Sequence, residues 1–89
     1  MSREEKIRAA LTTAFAPLQL EIINESHLHA GHAGAAGGHG HYQVRIISAA
    51  FDGQPLLARH RMVYAALGAL MNTDIHAVAI KAQTPQESA

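Results

Sequence analysis

The stretch LQLEIINESHLHAGHAGAAGGHGHYQVRIIS, residues 18–48, decides the fold. Its two ends, residues 18–24 and 42–48, each alternate apolar and polar side chains. This alternation is typical of half-buried strands, so the sequence predicts a strand at each end. The segment between them is rich in glycine and histidine and is too long for a tight hairpin turn. We therefore predict a mobile surface loop that joins the two strands.

An amphipathic helix precedes the first strand. Residues 2–15, SREEKIRAALTTAF, place apolar side chains at helical spacing. Ser2 and Glu5 have the spacing of a capping box, which marks the start of a helix. Pro17 predicts its end, because the residue before a proline avoids the helical region.

A second helical pattern and a third strand follow the second strand. Residues 55–71 keep an apolar face at helical spacing, either as one helix or as a short helix followed by a longer one. Residues 75–82, IHAVAIKA, alternate and predict a strand on which His76 shares a face with Ile80. We expect His76 to be a satisfied histidine at the edge of the core. The polar residues 85–89 predict a frayed tail.

The predicted order is helix, strand, strand, helix or helices, strand. It indicates one α+β domain over residues 1–89, with a small sheet covered by helices on one face. The formal net charge is zero with histidine neutral, which gives no strong electrostatic case for nucleic acid or an anionic membrane. No apolar run approaches the ~20 residues of a membrane span. The mixed charges of MSREEKIRAA argue against a signal or transit peptide, and we expect a cytoplasmic protein.

Histidine is the residue type in this sequence that suggests chemistry. No carboxylate dyad, Ser-His-Asp set or phosphate-loop motif is present, so we do not expect an enzyme. The chain has no cysteine and therefore offers no thiolate ligand. HLHAGH brings His27, His29 and His32 together, and neutral imidazole is a common metal ligand. The alternative for each of these histidines is a solvated loop position without a function.

His60 differs from the loop histidines because it lies in the predicted second helix, between Arg59 and Arg61. It is either a ligand held on a rigid element or a partly buried histidine satisfied by a backbone carbonyl. The three arginines Arg45, Arg59 and Arg61 could contact phosphates, although arginines are more often solvated or paired.

Three segments together resemble the BolA family. They are LEIINESHLH, HYQVRIISAAFDGQPLLARHRMVYAAL and IHAVAIKAQTP, and the resemblance runs from about Ile7 to Pro85. NES, RHRMVY and IHA fall in the family's order. Members commonly carry Ser or Thr before the histidine at position 41, whereas this chain has Gly40.

The resemblance implies an αββααβ fold like that of class II KH domains. It also implies a partner protein of monothiol glutaredoxins that shares a [2Fe-2S] cluster with glutaredoxin and glutathione, in iron–sulfur cluster trafficking or iron regulation. The implied ligands are His60 and His29, and His27 or His32 could substitute for His29. Because the chain lacks thiolates, no cluster is expected in the isolated protein.

Other functions stay open beside this one. Some members of the BolA family are DNA-binding regulators of morphology and stress response, and for that function Arg45, Arg59 and Arg61 are the candidate contacts. A carrier of divalent metal that uses the loop histidines is a third hypothesis. The sequence leaves homodimerisation open.

Overall fold

The computed structural model describes residues 2–25 and 40–88. The predicted loop falls in the interval between these ranges, so its mobility stays a prediction. Four histidines lie outside the described residues: His27, His29, His32 and His39.

The described residues form the predicted α+β fold, with one short helix added at the end. A single turn of 3₁₀ helix, Ala49–Phe51, follows the second strand. The elements in chain order are α1 (Arg3–Phe15), β1 (Gln19–Asn24), β2 (Gly40–Ile47), α2 (Leu56–Leu67), α3 (Leu70–Thr73), β3 (Ile75–Gln83) and α4 (Pro85–Ser88). None of these helices is long and apolar enough to cross a membrane.

The sheet has three strands in the order β1-β2-β3. β1 and β2 are antiparallel, as expected for neighbours joined by one connecting segment. β3 is parallel to β2, and the connection between them contains α2 and α3. Parallel pairing brings the starts of β2 and β3 to the same end of the sheet.

The hydrophobic core lies between one face of the sheet and the helices. α1 buries Ile7, Leu11 and Phe15, which recur at helical spacing. The rings of Phe15 and Phe51 pack with centroids 5.0 Å apart. Other buried side chains from the sheet and α2 include Tyr42, Val44, Ile46, Val63, Leu67 and Ile75.

The predicted capping box of α1 is confirmed. The Ser2 hydroxyl accepts the Glu5 backbone N–H at 3.1 Å, and the Glu5 carboxylate accepts the Ser2 N–H at 3.4 Å. The helix ends at Phe15, and the C-cap residue Ala16 takes a left-handed conformation with φ 42° just before Pro17. The local signals at both ends of α1 were therefore sufficient to predict it.

The structure has two helices here, as one of the two predicted alternatives has it, but the longer helix comes first and the short one follows. Gly68 ends α2 with φ 53°, a backbone conformation that favours glycine. The chain then makes the single turn of α3 before it enters β3.

The prediction of a frayed tail is wrong for residues 85–88, which form α4. Glu87 holds this turn in place, because its carboxylate accepts the Thr84 backbone N–H at 2.8 Å and pairs with Arg59. The partner on α2 lies far away in the sequence, so local polarity gave no sign of this contact.

Candidate metal-ligating site

His41 and His76 lie side by side at the end of the sheet where β2 and β3 begin. Their ring centroids are 4.9 Å apart, with an angle of 44° between the ring planes. Each histidine is the second residue of its strand. Because β2 and β3 run parallel, the two strand starts meet at one edge and bring the imidazoles together.

A β-bulge places His76 beside His41. Gly40 pairs with Ile75, but His41 pairs with Ala77, so β3 has one extra residue at this point. The side chain of His76 is consequently exposed, while Ile75 before it is buried. The prediction that His76 shares the core-facing side of β3 with Ile80 is wrong, because a bulge shifts the alternation by one residue.

The chain on both sides of the histidine-rich segment borders this pair. The Glu25 backbone N–H, the last described group before the segment, donates to the His41 carbonyl at 2.8 Å. Gly40, the first described residue after it, precedes His41 directly. A cleft of about 240 Å³ opens here, lined by Glu25, His41, Tyr42, Ala77, Val78 and Ala79.

Gly40 lies so close to the ring of Tyr42 that a larger residue would not fit at this position. A Cβ atom built on Gly40 would overlap Cε2 of the Tyr42 ring and would lie 2.6 Å from Oη. The Tyr42 side chain is buried and cannot swing into solvent without leaving the core. Gly40 is therefore matched to the tyrosine two residues later.

Within residues 2–25 and 40–88, no three histidine, cysteine or acidic side chains are grouped closely enough to hold a metal ion. The His41–His76 pair can supply two imidazole nitrogens. A complete ligand set for a metal centre would need further donors from the histidine-rich segment or from another molecule.

The structure does not bring His60 to this pair. His60 is half-buried on α2, beside a cleft whose lining includes Leu56, Ile80 and Gln83. Along β3, that stretch lies ~10–20 Å beyond Ala77, which pairs with His41. The sequence pattern pointed to His60 as a ligand and did not predict the His41–His76 pair. The pair could have been predicted from the position of both histidines at the starts of two strands that were expected to be neighbours.

The Arg59 side chain is engaged in hydrogen bonds that stabilise the fold. Its side chain is buried, and its Nε donates to the Gln54 carbonyl at 2.7 Å while Nη1 donates to the Ala82 carbonyl at 3.1 Å. The guanidinium also binds the Glu87 carboxylate, and this hydrogen bond, with that of the Thr84 N–H, lowers the pKa of Glu87 to about 2. A phosphate could contact Arg59 only after these bonds were broken.

The other two arginines proposed for nucleic acid lie apart from each other. Arg45 is on the open face of the sheet, where its Nε is 3.7 Å from the Glu21 carboxylate. Arg61 is exposed on α2, which packs against the opposite face of the sheet. The three arginines do not form one continuous basic surface.

The fold and the paired imidazoles define a small α+β protein with a candidate ligating site beside its β1–β2 connection. A model of the family described as BolA-like protein matches residues 11–87. The chain therefore belongs to the BolA-like family.

Individual relatives agree with this assignment. The chain is 42% identical over 91 residues to "SufE-like protein 1, chloroplastic/mitochondrial" of Arabidopsis thaliana, covering 97% of this chain but only 24% of that protein. It is 37% identical to "DNA-binding transcriptional regulator BolA" of Escherichia coli, over 98% of this chain and 80% of the relative. The solved structure "BolA1 from Arabidopsis thaliana" superposes with a TM-score of 0.87 at 38% identity, covering 100% of this chain and 98% of that one.

Proposed function

We propose that the protein is a partner of a monothiol glutaredoxin that helps to ligate a shared [2Fe-2S] cluster, in cluster trafficking or iron regulation. The proposal is based on the His41–His76 pair, two neighbouring imidazoles beside the point where the histidine-rich segment joins β2. Imidazole can replace two of the thiolates on one iron of such a cluster. The proposed role is that of a binding partner, with no catalysis by this chain.

The donor set supports a shared cluster better than one held by the chain alone. The protein contains no cysteine, and the described residues offer two adjacent imidazoles. A [2Fe-2S] cluster needs four protein or thiol ligands, so thiolates have to come from another molecule. A glutaredoxin cysteine and the thiol of glutathione would supply them.

The geometry favours a different ligand pair from the one implied by the BolA resemblance. That resemblance implies His60 and His29, with His27 and His32 as substitutes. Because His60 lies beside the distal half of β3, we assign its role to His76, with His41 or a histidine of the segment as the second ligand. Neutral imidazoles bind iron less tightly than thiolates, which suits a cluster that has to be passed on.

Co-expression with a monothiol glutaredoxin tests this function. The purified complex should show the visible absorption and circular dichroism of a [2Fe-2S] cluster, and the two proteins should co-elute. A double variant, His41→Ala with His76→Ala, should change or abolish that spectrum, whereas the matched His60→Ala variant should keep it. A wild-type complex without a cluster under these conditions would refute the proposal.

A DNA-binding regulator is the second candidate, since the Escherichia coli relative bears that name. The neutral net charge and the engagement of Arg59 with Glu87 weigh against a strong phosphate-binding surface. The dependence of DNA affinity on salt distinguishes the two functions. Several phosphate contacts would make the affinity fall steeply as the salt concentration rises.

A further inference from the structure

Asp74, the residue immediately before β3, makes contacts with α1, with the end of α3 and with the start of β2. Its Oδ2 accepts a hydrogen bond from Nζ of Lys6 on α1 at 3.1 Å. The Nε of Arg3 lies 4.0 Å from the same oxygen. Its Oδ1 accepts the hydroxyl of Thr73 at 2.6 Å, and its backbone carbonyl accepts the Gly40 N–H at 3.0 Å. The carboxylate is only 13% exposed, so this anchor is largely enclosed.

The bond from Gly40 to Asp74 lies directly beside the bulge. Gly40 pairs with Ile75, and the next pair along the ladder is His41 with Ala77. The position of Asp74 therefore fixes how the starts of β2 and β3 pair just before the extra residue, His76. A regular ladder without the bulge would turn His76 to the core-facing side, because a slip of one residue exchanges the two faces of a strand.

We propose that Asp74 is a positioning residue for the His41–His76 pair: its side chain, anchored to α1 by Lys6 and Arg3, selects the bulged register that turns His76 to the open face. The burial of Ile75 favours the same register, so the carboxylate acts together with a core contact. The proposal rests on the proposed function for its biological meaning, but the apo protein is enough to test it.

Solution NMR of the apo protein provides the readout. Asp74→Ala should weaken cross-relaxation between the ring protons of His41 and His76 several-fold and should speed hydrogen exchange of the Gly40 amide. Asp74→Asn keeps the shape and can still accept one hydrogen bond, so it should restore part of both signals. Lys6→Gln, which removes the anchor from the other side, should move both signals in the same direction as Asp74→Ala, but less.

Lys81→Gln is the matched control, since Lys81 is an exposed lysine on β3 that makes no ion pair within the described part of the chain. It should leave both signals unchanged. If Asp74→Ala does not fold, Lys6→Gln decides. Folded anchor variants with unaltered histidine contacts and Gly40 exchange would overturn the proposal. A wild-type protein that keeps the histidine pair but forms no cluster with glutaredoxin would refute the proposed function and leave the anchor intact.

Discussion

Arg59 and Glu87 form a two-bond ion pair that fastens α4 to α2. Nη1 donates to Oε1 at 2.6 Å, and Nη2 donates to Oε2 at 3.1 Å. The same carboxylate accepts the backbone N–H of Thr84 at 2.8 Å. The Glu87 carboxylate thus connects the end of the described chain to α2 and to the residue that follows β3.

The Arg59–Glu87 pair predicts a loss of stability in acid. The pKa of Glu87 is lowered to about 2 in the folded protein, first by the hydrogen bond from Arg59, whereas an unfolded chain restores its ordinary value of about 4.3. A lowered folded pKa stabilises the protein above the unfolded pKa, and this stabilisation is lost as the pH falls from about 4.3 to about 2. Melting temperatures between pH 7 and pH 2 should decline less steeply in Glu87→Gln.

Glu21→Gln is the control for that measurement, because Glu21 also faces an arginine but is half-exposed and 3.7 Å from Arg45. Exposed pairs of this kind contribute little to stability. The acid profile of Glu21→Gln should therefore follow the wild type. Identical profiles for wild type and Glu87→Gln would contradict the assignment of the acid response to Glu87.

The contact between Gly40 and Tyr42 predicts a coupled pair of substitutions. Gly40→Ala should destabilise the protein by about 1–3 kcal/mol, as overpacking does, because the new Cβ overlaps the Tyr42 ring. Tyr42→Leu removes the clashing ring atoms. The double variant should then be more stable than additivity predicts, with a coupling free energy of about 0.5–3 kcal/mol in chemical denaturation.

Gly53→Ala provides the comparison for Gly40→Ala. Gly53 has φ 76°, and no atom lies within 4 Å of the position that an alanine Cβ would take, so alanine there introduces backbone strain without overlap. Its cost should be about 1–2 kcal/mol and additive with Tyr42→Leu. Additive behaviour at Gly40 as well would show that the ring contact is not what requires glycine.

Single histidine variants of the glutaredoxin complex should separate the two ligand assignments. His76→Ala should alter the cluster spectrum most, because it removes half of the adjacent imidazole pair. His60→Ala should leave the spectrum nearly unchanged, since His60 lies toward the other end of β3. The assignment implied by the BolA resemblance predicts the reverse order. Melting temperatures of the same samples identify any variant that acts through stability alone.

The histidines of the segment predict a graded response. His29→Ala should affect the spectrum less than His76→Ala, because His27 and His32 are close in sequence and can substitute. Combining His29→Ala with His32→Ala should increase the effect. If neither variant changes the spectrum, His29 and His32 are not required as ligands.

The absence of cysteine predicts that the isolated chain does not keep a cluster. Reconstitution with iron and sulfide, without glutaredoxin or glutathione, should give no stable [2Fe-2S] spectrum after desalting. Addition of glutaredoxin and glutathione to the same sample should produce it. A stable stoichiometric cluster on the chain alone would mean that its histidines suffice as ligands.

The sequence by itself determined the elements whose signals are local. The capping box of Ser2 and Glu5, the stop at Pro17 and the alternation in β1 and β2 each depend on residues a few positions apart. These signals predicted the order of helices and strands and the α+β class. They also predicted the buried face of α1, because helical spacing alone decides which of its side chains point the same way.

Only the tertiary structure decided which histidines are neighbours. The face that His76 occupies depends on a bulge opposite Gly40, and that bulge is held by the burial of Ile75 and by the bonds of Asp74 to α1 and β2. The engagement of Arg59 with Glu87 likewise joins residues that are distant in sequence. Such contacts form between elements after they pack, so periodicity within one segment carries no information about them.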